Sequence, residues 1–219
     1  MNIERIYAYR FKNVNRNTKI ATWKILAKFL YQKMGSPATM LDPAAGECEF
    51  INLVPAGERW AVDMSERTKK LVAQEVKLIT GDSLTVDLPK NYFEGVFLSN
   101  FLEHLPNQEA VATFLERMYV VMKKGGVIAV MGPNFKYCAP VYFDAADHHT
   151  ILTEVGLAEH LYGAGFEVET IYPRFLPFSF RTRLPVRGFL VTQYLRMPLA
   201  WRFMGKQFLL LARKVDDTL

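Results

Sequence analysis

Four short segments combine carboxylates, amides and small residues in a way that suits the recognition of a nucleoside. Residues 42–48 read Asp-Pro-Ala-Ala-Gly-Glu-Cys, Asp63 follows, and Gly81-Asp82-Ser83 and Asn100 lie further along the chain. One carboxylate can accept both hydroxyls of a ribose, another can accept from an adenine amino group, and small residues let a ligand approach the backbone. Each segment also has a structural explanation, since small residues serve tight turns and a lone aspartate can charge a helix N-terminus.

Short apolar runs alternate with helical patterns, which predicts a mainly parallel sheet with helices on both faces. The predicted strands are residues 38–41, 59–62, 76–79, 95–99, 127–131, 166–172 and 207–212. The predicted helices are residues 18–34, 65–73, 107–123 and 153–162, and residues 133–150 are predicted to be a loop. Because the carboxyl ends of parallel strands meet at one edge, we expect the four polar segments to lie together.

The helix over residues 107–123 has the clearest pattern. Its apolar residues recur at helical spacing on one face, at Val111, Phe114, Leu115, Met118 and Met122. We expect Lys123 and Lys124 to lie at its negative C-terminal end and Gly125-Gly126 to stop it. The long stretch before the final strand predicts that this strand enters antiparallel.

Taken together, these segments resemble the class I S-adenosylmethionine-dependent methyltransferases, in the small-molecule branch often called type 11. The chain length predicts one domain over residues 1–219. The resemblance covers about residues 40–214 and implies a Rossmann-like seven-stranded sheet of order 3-2-1-4-5-7-6 with an antiparallel last strand. Residues 1–37 would be an N-terminal helical segment, and residues 174–205 an insertion that covers the acceptor. The resemblance also implies S-adenosyl-L-methionine as cofactor, held by Asp42, Ala44, Gly46, Asp63, Met64, Asp82, Ser83 and Asn100.

The chain departs from that family in its glycine-rich loop. The family pattern Gly-x-Gly-x-Gly corresponds here to Ala44, Gly46 and Cys48, and Cys48 adds a side chain where the backbone usually approaches the ligand. The main hypothesis is an active enzyme. The alternative is a catalytically silent binding or scaffold protein that retains the fold.

Asp147, His148 and His149 are the predicted catalytic groups, because they follow the fifth strand on the expected active-site side. A neutral histidine could take a proton from a hydroxyl acceptor while Asp147 orients it. The other interpretation is a loop-capping aspartate with one packed and one exposed histidine. No metal is expected, since adjacent histidines cannot easily share one ion. We expect His104 and His160 to be structural.

The acceptor prediction depends on a looser resemblance. The segments Asp147-His148-His149-Thr150, Gly165-Phe166-Glu167-Val168, Arg174-Phe175-Leu176-Pro177-Phe178 and Gly205-Lys206-Gln207-Phe208 resemble methyltransferases of bacterial surface-polysaccharide and lipid-linked glycan synthesis. This implies a small or lipid-linked acceptor, such as a hydroxyl of a glycan precursor. Nucleic acid is disfavoured despite the net charge of +5, because no nucleic-acid-binding module is recognisable.

Charge is unevenly distributed along the chain. Residues 170–215 contain nine basic residues and no acidic one, together with many large aromatic residues. This pattern fits an anionic membrane surface at which Phe189, Tyr194 and Trp201 insert. It equally fits a solvated basic face over an aromatic core, or a dimer interface. Two widely spaced cysteines and the lack of a signal-like N-terminus predict a cytoplasmic protein.

Overall fold

The computed structural model of the protein describes residues 3–177 and 188–216. The helices are α1 Ile3–Arg10, α2 Arg16–Lys33, α3 Glu49–Leu53, α4 Glu66–Leu71, α5 Gln108–Val121, α6 Phe135–Tyr142, α7 Glu154–Gly163, α8 Gly188–Leu195 and α9 Pro198–Met204. The strands are β1 Thr39–Asp42, β2 Glu58–Asp63, β3 Val76–Thr80, β4 Phe93–Ser99, β5 Met122–Pro133, β6 Phe166–Tyr172 and β7 Gln207–Lys214. A short 3₁₀ turn spans Leu102–His104.

The seven strands form one sheet in the order β3-β2-β1-β4-β5-β7-β6. Strands β1 to β5 pair in parallel, so their carboxyl ends share one edge. Strand β7 runs antiparallel to both β5 and β6, and its first residue, Gln207, therefore lies at that same edge beside Pro133. The predicted strand order and the antiparallel last strand are confirmed.

Two apolar layers enclose the sheet, because alternate residues of each central strand point to opposite faces. On one face, α5 and α7 cover residues such as Val96 and Ile128. On the other face, α2, α3 and the α8–α9 segment cover residues such as Phe97 and Ala129. Both faces of the central strands are buried, as expected for a parallel sheet in an α/β fold.

Polar side chains cap the N-termini of several helices and fix where these helices begin. The residue types that form such caps can be recognised in the sequence. The side chains of Asn15, Ser65, Asn107 and Thr153 each accept a backbone N–H from the first turn of the helix that follows. Such a cap satisfies a donor that has no partner within the helix and stabilises it by about 1 kcal/mol. The predicted cap at Ser65 is confirmed.

Two local predictions were wrong. Helix α5 ends at Val121, and Lys123 and Lys124 lie in β5, because the backbone is already extended at Met122, which pairs with Phe93. Residues 133–150 are not a continuous loop, since they contain α6, which begins after the capping side chain of Asn134. Hydrophobic periodicity did not predict α6, because the helix is only eight residues long and contains Pro140.

The segment before β7 contains two short helices. Proline at the first position of α9 starts a new helix at Pro198 instead of breaking one, because its missing N–H would have no partner there in any case. Trp201 is buried at 4% exposure, and Tyr194 donates to the carbonyl of Phe175. The prediction that Tyr194 and Trp201 insert into a membrane is therefore wrong, whereas Phe189 is exposed. Arg181, Arg183 and Arg187 lie outside the described residues.

Candidate active site

The loop from β1 to α3 presents backbone to the carboxyl edge of the sheet. Gly46 has a φ of +53°, and no atom lies within 4 Å of the position that a Cβ would occupy there. Cys48 has a φ of +62° and caps α3, with its side chain fully buried in the core. Cysteine thus adopts a left-handed conformation that glycine adopts more easily. Its buried side chain leaves the open side of the loop free.

Asp42 ends β1 beneath this loop and is almost fully buried. Its Oδ1 accepts the N–H of Ala44 at 3.3 Å. Burial raises the pKa of Asp42 to about 8, and the nearby carboxylates of Asp63 and Glu49 add to the rise. A cation that binds beside Asp42 would therefore favour the ionised form of its carboxyl group.

Asp63 links the first two loops. Its Oδ2 accepts the N–H of Gly46 at 2.7 Å, and its Oδ1 accepts the N–H of Ser65 at 2.8 Å. A carboxylate has about four acceptor positions, so two remain for ligand hydroxyls. Met64, the next residue, is 68% exposed, which is unusual for a methionine and leaves its thioether free to cover an apolar ring.

The third loop, which follows β3, joins this group of residues. Gly81 donates to the carbonyl of Asp63 at 3.1 Å, and the carboxylate of Asp82 accepts the N–H of Leu84 at 2.9 Å. Ser83 is buried beside Asp82, and its carbonyl accepts from Arg117. The structure therefore brings the predicted residues after β1, β2 and β3 into one connected group.

Asn100 follows β4 with a φ of +51°, and its N–H donates to the carbonyl of Met131 at 2.9 Å. Its side-chain Oδ1 accepts from Nε2 of Gln207 at 3.1 Å, and its Nδ2 donates to Ser99 at 3.0 Å. Gln207, the first residue of β7, was not predicted as a site residue. Only the antiparallel entry of β7 brings it to this edge.

A second group, which we call the polar cluster, consists of Glu103, His104, Asp147 and His148. Nδ1 of His104 lies 2.8 Å from the carbonyl oxygen of Asp147 and 3.4 Å from its Oδ2. The rings of His104 and His148 meet edge to face with centroids 5.1 Å apart. The cluster begins three residues after Asn100, so it adjoins the four loops at the same edge of the sheet.

Helix α1 covers the polar cluster. The guanidinium of Arg10 pairs with the carboxylate of Asp147, which is buried. Burial alone would raise the pKa of Asp147, but the hydrogen bond from Arg10 and the charge of His104 hold it below its usual range. Burial, followed by the charge of Asp147, raises the pKa of Tyr7 to about 12. Asp147 is therefore an ionised, fixed group.

The two predicted histidines differ in environment. Burial, followed by the charge of His104, lowers the pKa of His148 to about 4, so its ring is neutral near pH 7. His149 is exposed, and its backbone N–H donates to the carbonyl of Glu103 at 2.8 Å. The structure thus brings Asp147 and His148 together with His104, while the side chain of His149 is directed away from the buried cluster.

Glu103 and His104 of the polar cluster, and Tyr7 and Arg10 of α1, were not predicted as site residues. The adjacent Glu103-His104 pair directly after a strand end was a usable signal, because that loop lies at the ligand-binding edge. Arg10 and Tyr7 gave no comparable signal, since nothing local relates an N-terminal helix to a residue 137 positions away.

Residues 41–130 match a family model described as a methyltransferase domain. A search of curated proteins found no significant match to this sequence. Among solved structures, the chain resembles a SAM-dependent methyltransferase from Archaeoglobus fulgidus, with a TM-score of 0.66, 18% identity, and coverage of 96% of this chain and 99% of that one.

Two further structures have the same fold. A Thermotoga maritima SAM-dependent methyltransferase, described as a possible histamine N-methyltransferase, aligns with a TM-score of 0.67 at 15% identity over 96% of this chain and 98% of its own. A geranyl diphosphate methyltransferase solved in complex with SAM aligns with a TM-score of 0.64 at 11% identity over 88% and 85%. At these identities the likeness establishes the fold alone.

The sheet order and the loops at its carboxyl edge are those of the class I methyltransferase fold. The methyltransferase-domain match over residues 41–130 spans most of strands β1 to β5 of this fold. The open backbone at Gly46, the remaining acceptor positions of Asp63 and the exposed Met64 fit a nucleoside with a charged amino-acid tail.

Proposed function

We propose that the enzyme methylates a hydroxyl oxygen of a small or lipid-linked acceptor, such as a glycan precursor. The polar cluster carries this proposal, because it places buried carboxylates and neutral imidazole beside the cofactor loops. A hydroxyl must lose its proton during transfer, and such groups can accept a hydrogen bond from it and take that proton. S-adenosylmethionine supplies the electrophilic methyl group.

The cofactor would be held by the loops at the carboxyl edge. Asp63 would accept the ribose hydroxyls, Met64 would pack on the adenine, and Asp82 with Ser83 would face the adenine amino group. The loop from Asp42 to Cys48 would hold the methionine end, and the α-ammonium group would favour the ionised form of Asp42. These assignments are supported by the exposure and the hydrogen bonds of the four loops.

A membrane-bound acceptor is supported by the surface of the α8–α9 segment. Its exposed large apolar residues are Phe189, Leu190, Met197, Leu199, Phe203 and Met204. The exposed cations Arg196, Arg202 and Lys206 lie in the same segment, and residues 170–215 contain no acidic residue. Apolar side chains with interspersed cations suit an anionic lipid surface. We therefore propose peripheral association of this face with anionic membranes.

The same segment leads directly into the active site. The backbone N–H of Asn134 donates to the carbonyl oxygen of Lys206, which follows α9, at 2.9 Å. The next residue, Gln207, contacts Asn100. An acceptor whose lipid tail remains in the bilayer would thus reach the polar cluster along this segment. No helix within the described residues is long and apolar enough to cross a membrane.

The acceptor class is tested by incubating the protein with methyl-labelled S-adenosylmethionine and matched panels of acceptors. The panels are free sugars, polyprenyl-phosphate-linked sugars and primary amines, and product mass locates the added methyl group. We expect transfer to hydroxyl acceptors, and a loss of about 100-fold or more in Glu103→Gln and Asp147→Asn with cofactor affinity retained. Methylation of amines alone would overturn the oxygen assignment.

A further inference from the structure

Three side chains of the polar cluster form a potential metal-binding group. One ligand atom each from Glu103, His104 and His148 lies within 4.8 Å of the other two. A bound Zn²⁺ ion, with bonds of about 2.0–2.1 Å, would hold its ligand atoms about 3.3 Å apart. Modest side-chain rotations would therefore close the site.

The carboxylate of Glu103 is the first reason to expect a cation. Glu103 is 2% exposed, and among the described residues no basic side chain lies within ion-pairing distance of it. Buried carboxylates in proteins are usually paired with a cation or coordinate a metal.

The orientation of His104 is the second reason. Its Nδ1 donates to the carbonyl oxygen of Asp147 at 2.8 Å, which leaves the lone pair on Nε2. Asp147 is fixed in turn by Arg10. Histidines that ligate metals almost always donate their other ring N–H to a carbonyl or carboxylate in this way, because that bond sets the tautomer and the ring orientation.

His148 supplies the third ligand. Its ring packs against those of His104 and Tyr142, with centroids 5.1 and 4.7 Å apart. Ring contacts on two sides hold the imidazole in place.

We propose that Glu103, His104 and His148 bind one Zn²⁺ ion and leave its fourth position for the acceptor oxygen. One carboxylate and two imidazoles suit Zn²⁺, and three protein ligands with one open position are typical of a catalytic zinc site. This inference rests on the proposed function, because it assigns the acceptor hydroxyl to the open position.

The cation would change how the hydroxyl loses its proton. Coordination lowers the pKa of a bound oxygen acid, so the proton can pass to solvent water while both imidazoles remain ligands. The acceptor oxygen then forms the new C–O bond as the sulfonium C–S bond breaks, and the electron pair of that bond stays on sulfur. Asp147 acts as a positioning residue through His104.

Direct binding tests the site without an acceptor. The full-length protein is treated with a chelator, titrated with Zn²⁺ by calorimetry, and examined with Co²⁺ as a spectroscopic substitute. We expect one Zn²⁺ per chain and the visible absorption of tetrahedral Co²⁺. His148→Ala and Glu103→Gln should each weaken binding by about 100-fold or more, whereas His160→Ala should not.

His160 is the matched control, because its ring lies on α7 and bonds to Gln108 outside the cluster. Cys48 and Cys138 are both buried, and neither belongs to the group of Glu103, His104 and His148. Thermal unfolding without metal shows whether each variant is folded. The metal site would be overturned if the folded wild-type protein binds no Zn²⁺. It would also be overturned if His148→Ala and Glu103→Gln bind Zn²⁺ as tightly as the wild type.

Failure of the metal site and failure of the proposed function give different results. A chain that binds no Zn²⁺ but methylates hydroxyls retains the proposed function and loses only the metal. If the chain binds Zn²⁺ at this site but methylates no hydroxyl, the metal site stands and the proposed function is wrong.

Discussion

Asp63 makes two hydrogen bonds to backbone donors in different loops, from Gly46 and Ser65. These bonds fix the carboxylate before any ligand arrives, which reduces the ordering that binding would otherwise require. Asp42 lies deeper, where burial favours its neutral form. Asp63 is therefore held in place to accept hydrogen bonds from hydroxyls. The protonation state of Asp42 instead depends on the charges near it.

Replacing Asp63 with alanine should weaken S-adenosylmethionine binding by about 2–4 kcal/mol, because two charge-assisted hydrogen bonds to ribose are lost. Isothermal calorimetry measures this change. Glu66→Ala is the control, since Glu66 lies on the adjacent helix and makes an exposed ion pair with Lys69. Unchanged affinity in folded Asp63→Ala would show that the ribose is held elsewhere.

Asp42→Asn should stabilise the cofactor-free protein increasingly as pH rises from about 5 to about 8. In this range the folded state retains a proton on Asp42 that the unfolded chain has released, so wild-type stability falls by up to about 1.4 kcal/mol per pH unit. Above about pH 8 both states have lost the proton, and the difference should level off. Thermal melting across pH measures it.

The exposed Asp87→Asn variant is the control for that series. Melting curves of wild type and Asp42→Asn that stay parallel from pH 5 to 9 would show that Asp42 ionises normally in the folded protein. The substitution should also weaken cofactor binding, because the α-ammonium group loses its carboxylate partner.

At the scale of elements, α1 is tied to the rest of the protein by the ion pair between Arg10 and Asp147. Both side chains are largely shielded from water, at 16% and 3% exposure. Removing one partner from such a pair leaves a charge with poor solvation, which costs more than the loss of a surface pair. This ion pair is therefore one of the contacts that hold α1 over the polar cluster.

Arg10→Ala should lower the free energy of unfolding by about 2–4 kcal/mol and expose α1 to amide hydrogen exchange. Mass spectrometry of the exchanging peptides locates the effect. Lys12→Ala is the control, because Lys12 is exposed and lies over the ring of Tyr9. Unchanged exchange in α1 would show that apolar packing, and not Arg10, holds the helix.

Helix α9 has one buried and one exposed aromatic residue. Trp201 packs against Phe29 and Phe175, whereas Phe203 is 72% exposed. Trp201→Ala should cost about 3–5 kcal/mol of stability, because it creates a cavity in the core. Phe203→Ala should change the stability by less than about 0.5 kcal/mol. Chemical denaturation measures both, and similar values would contradict this packing.

The strands, their order and the main helices were predictable, because hydrophobic period and chain order determine them together. The boundary at Met122 was not, since strand pairing with Phe93 overrides the glycine stop signal. Helix α6 was missed because Pro140 argues against it locally. The polar loops after β1 to β4 follow strand ends, and Asp147 and His148 follow β5, so these residues could be read from the chain. Arg10 could not, because it reaches Asp147 through tertiary structure alone.

At the scale of the whole molecule, the α8–α9 segment combines exposed apolar residues with exposed cations and contains no acidic residue. The full-length protein should co-sediment with phosphatidylcholine vesicles that contain an anionic lipid, and salt should weaken binding. A Leu199→Ser, Phe203→Ser double variant should bind several-fold less. Tyr162→Ser is the control, because Tyr162 is exposed on α7, outside this segment. Equal recovery in the supernatant with neutral and anionic vesicles at low salt would overturn the proposal.

The parts of the candidate site differ in the length of chain that each must close. The loops after β1, β2 and β3 lie within residues 42–84, whereas the pair of Arg10 and Asp147 joins positions 137 apart. Loop-closure entropy rises with that separation, so we expect the pair to form after these loops. On the ribosome, a nascent chain should therefore order these three loops first. The polar cluster should be completed only when the first helix returns to a much later part of the chain.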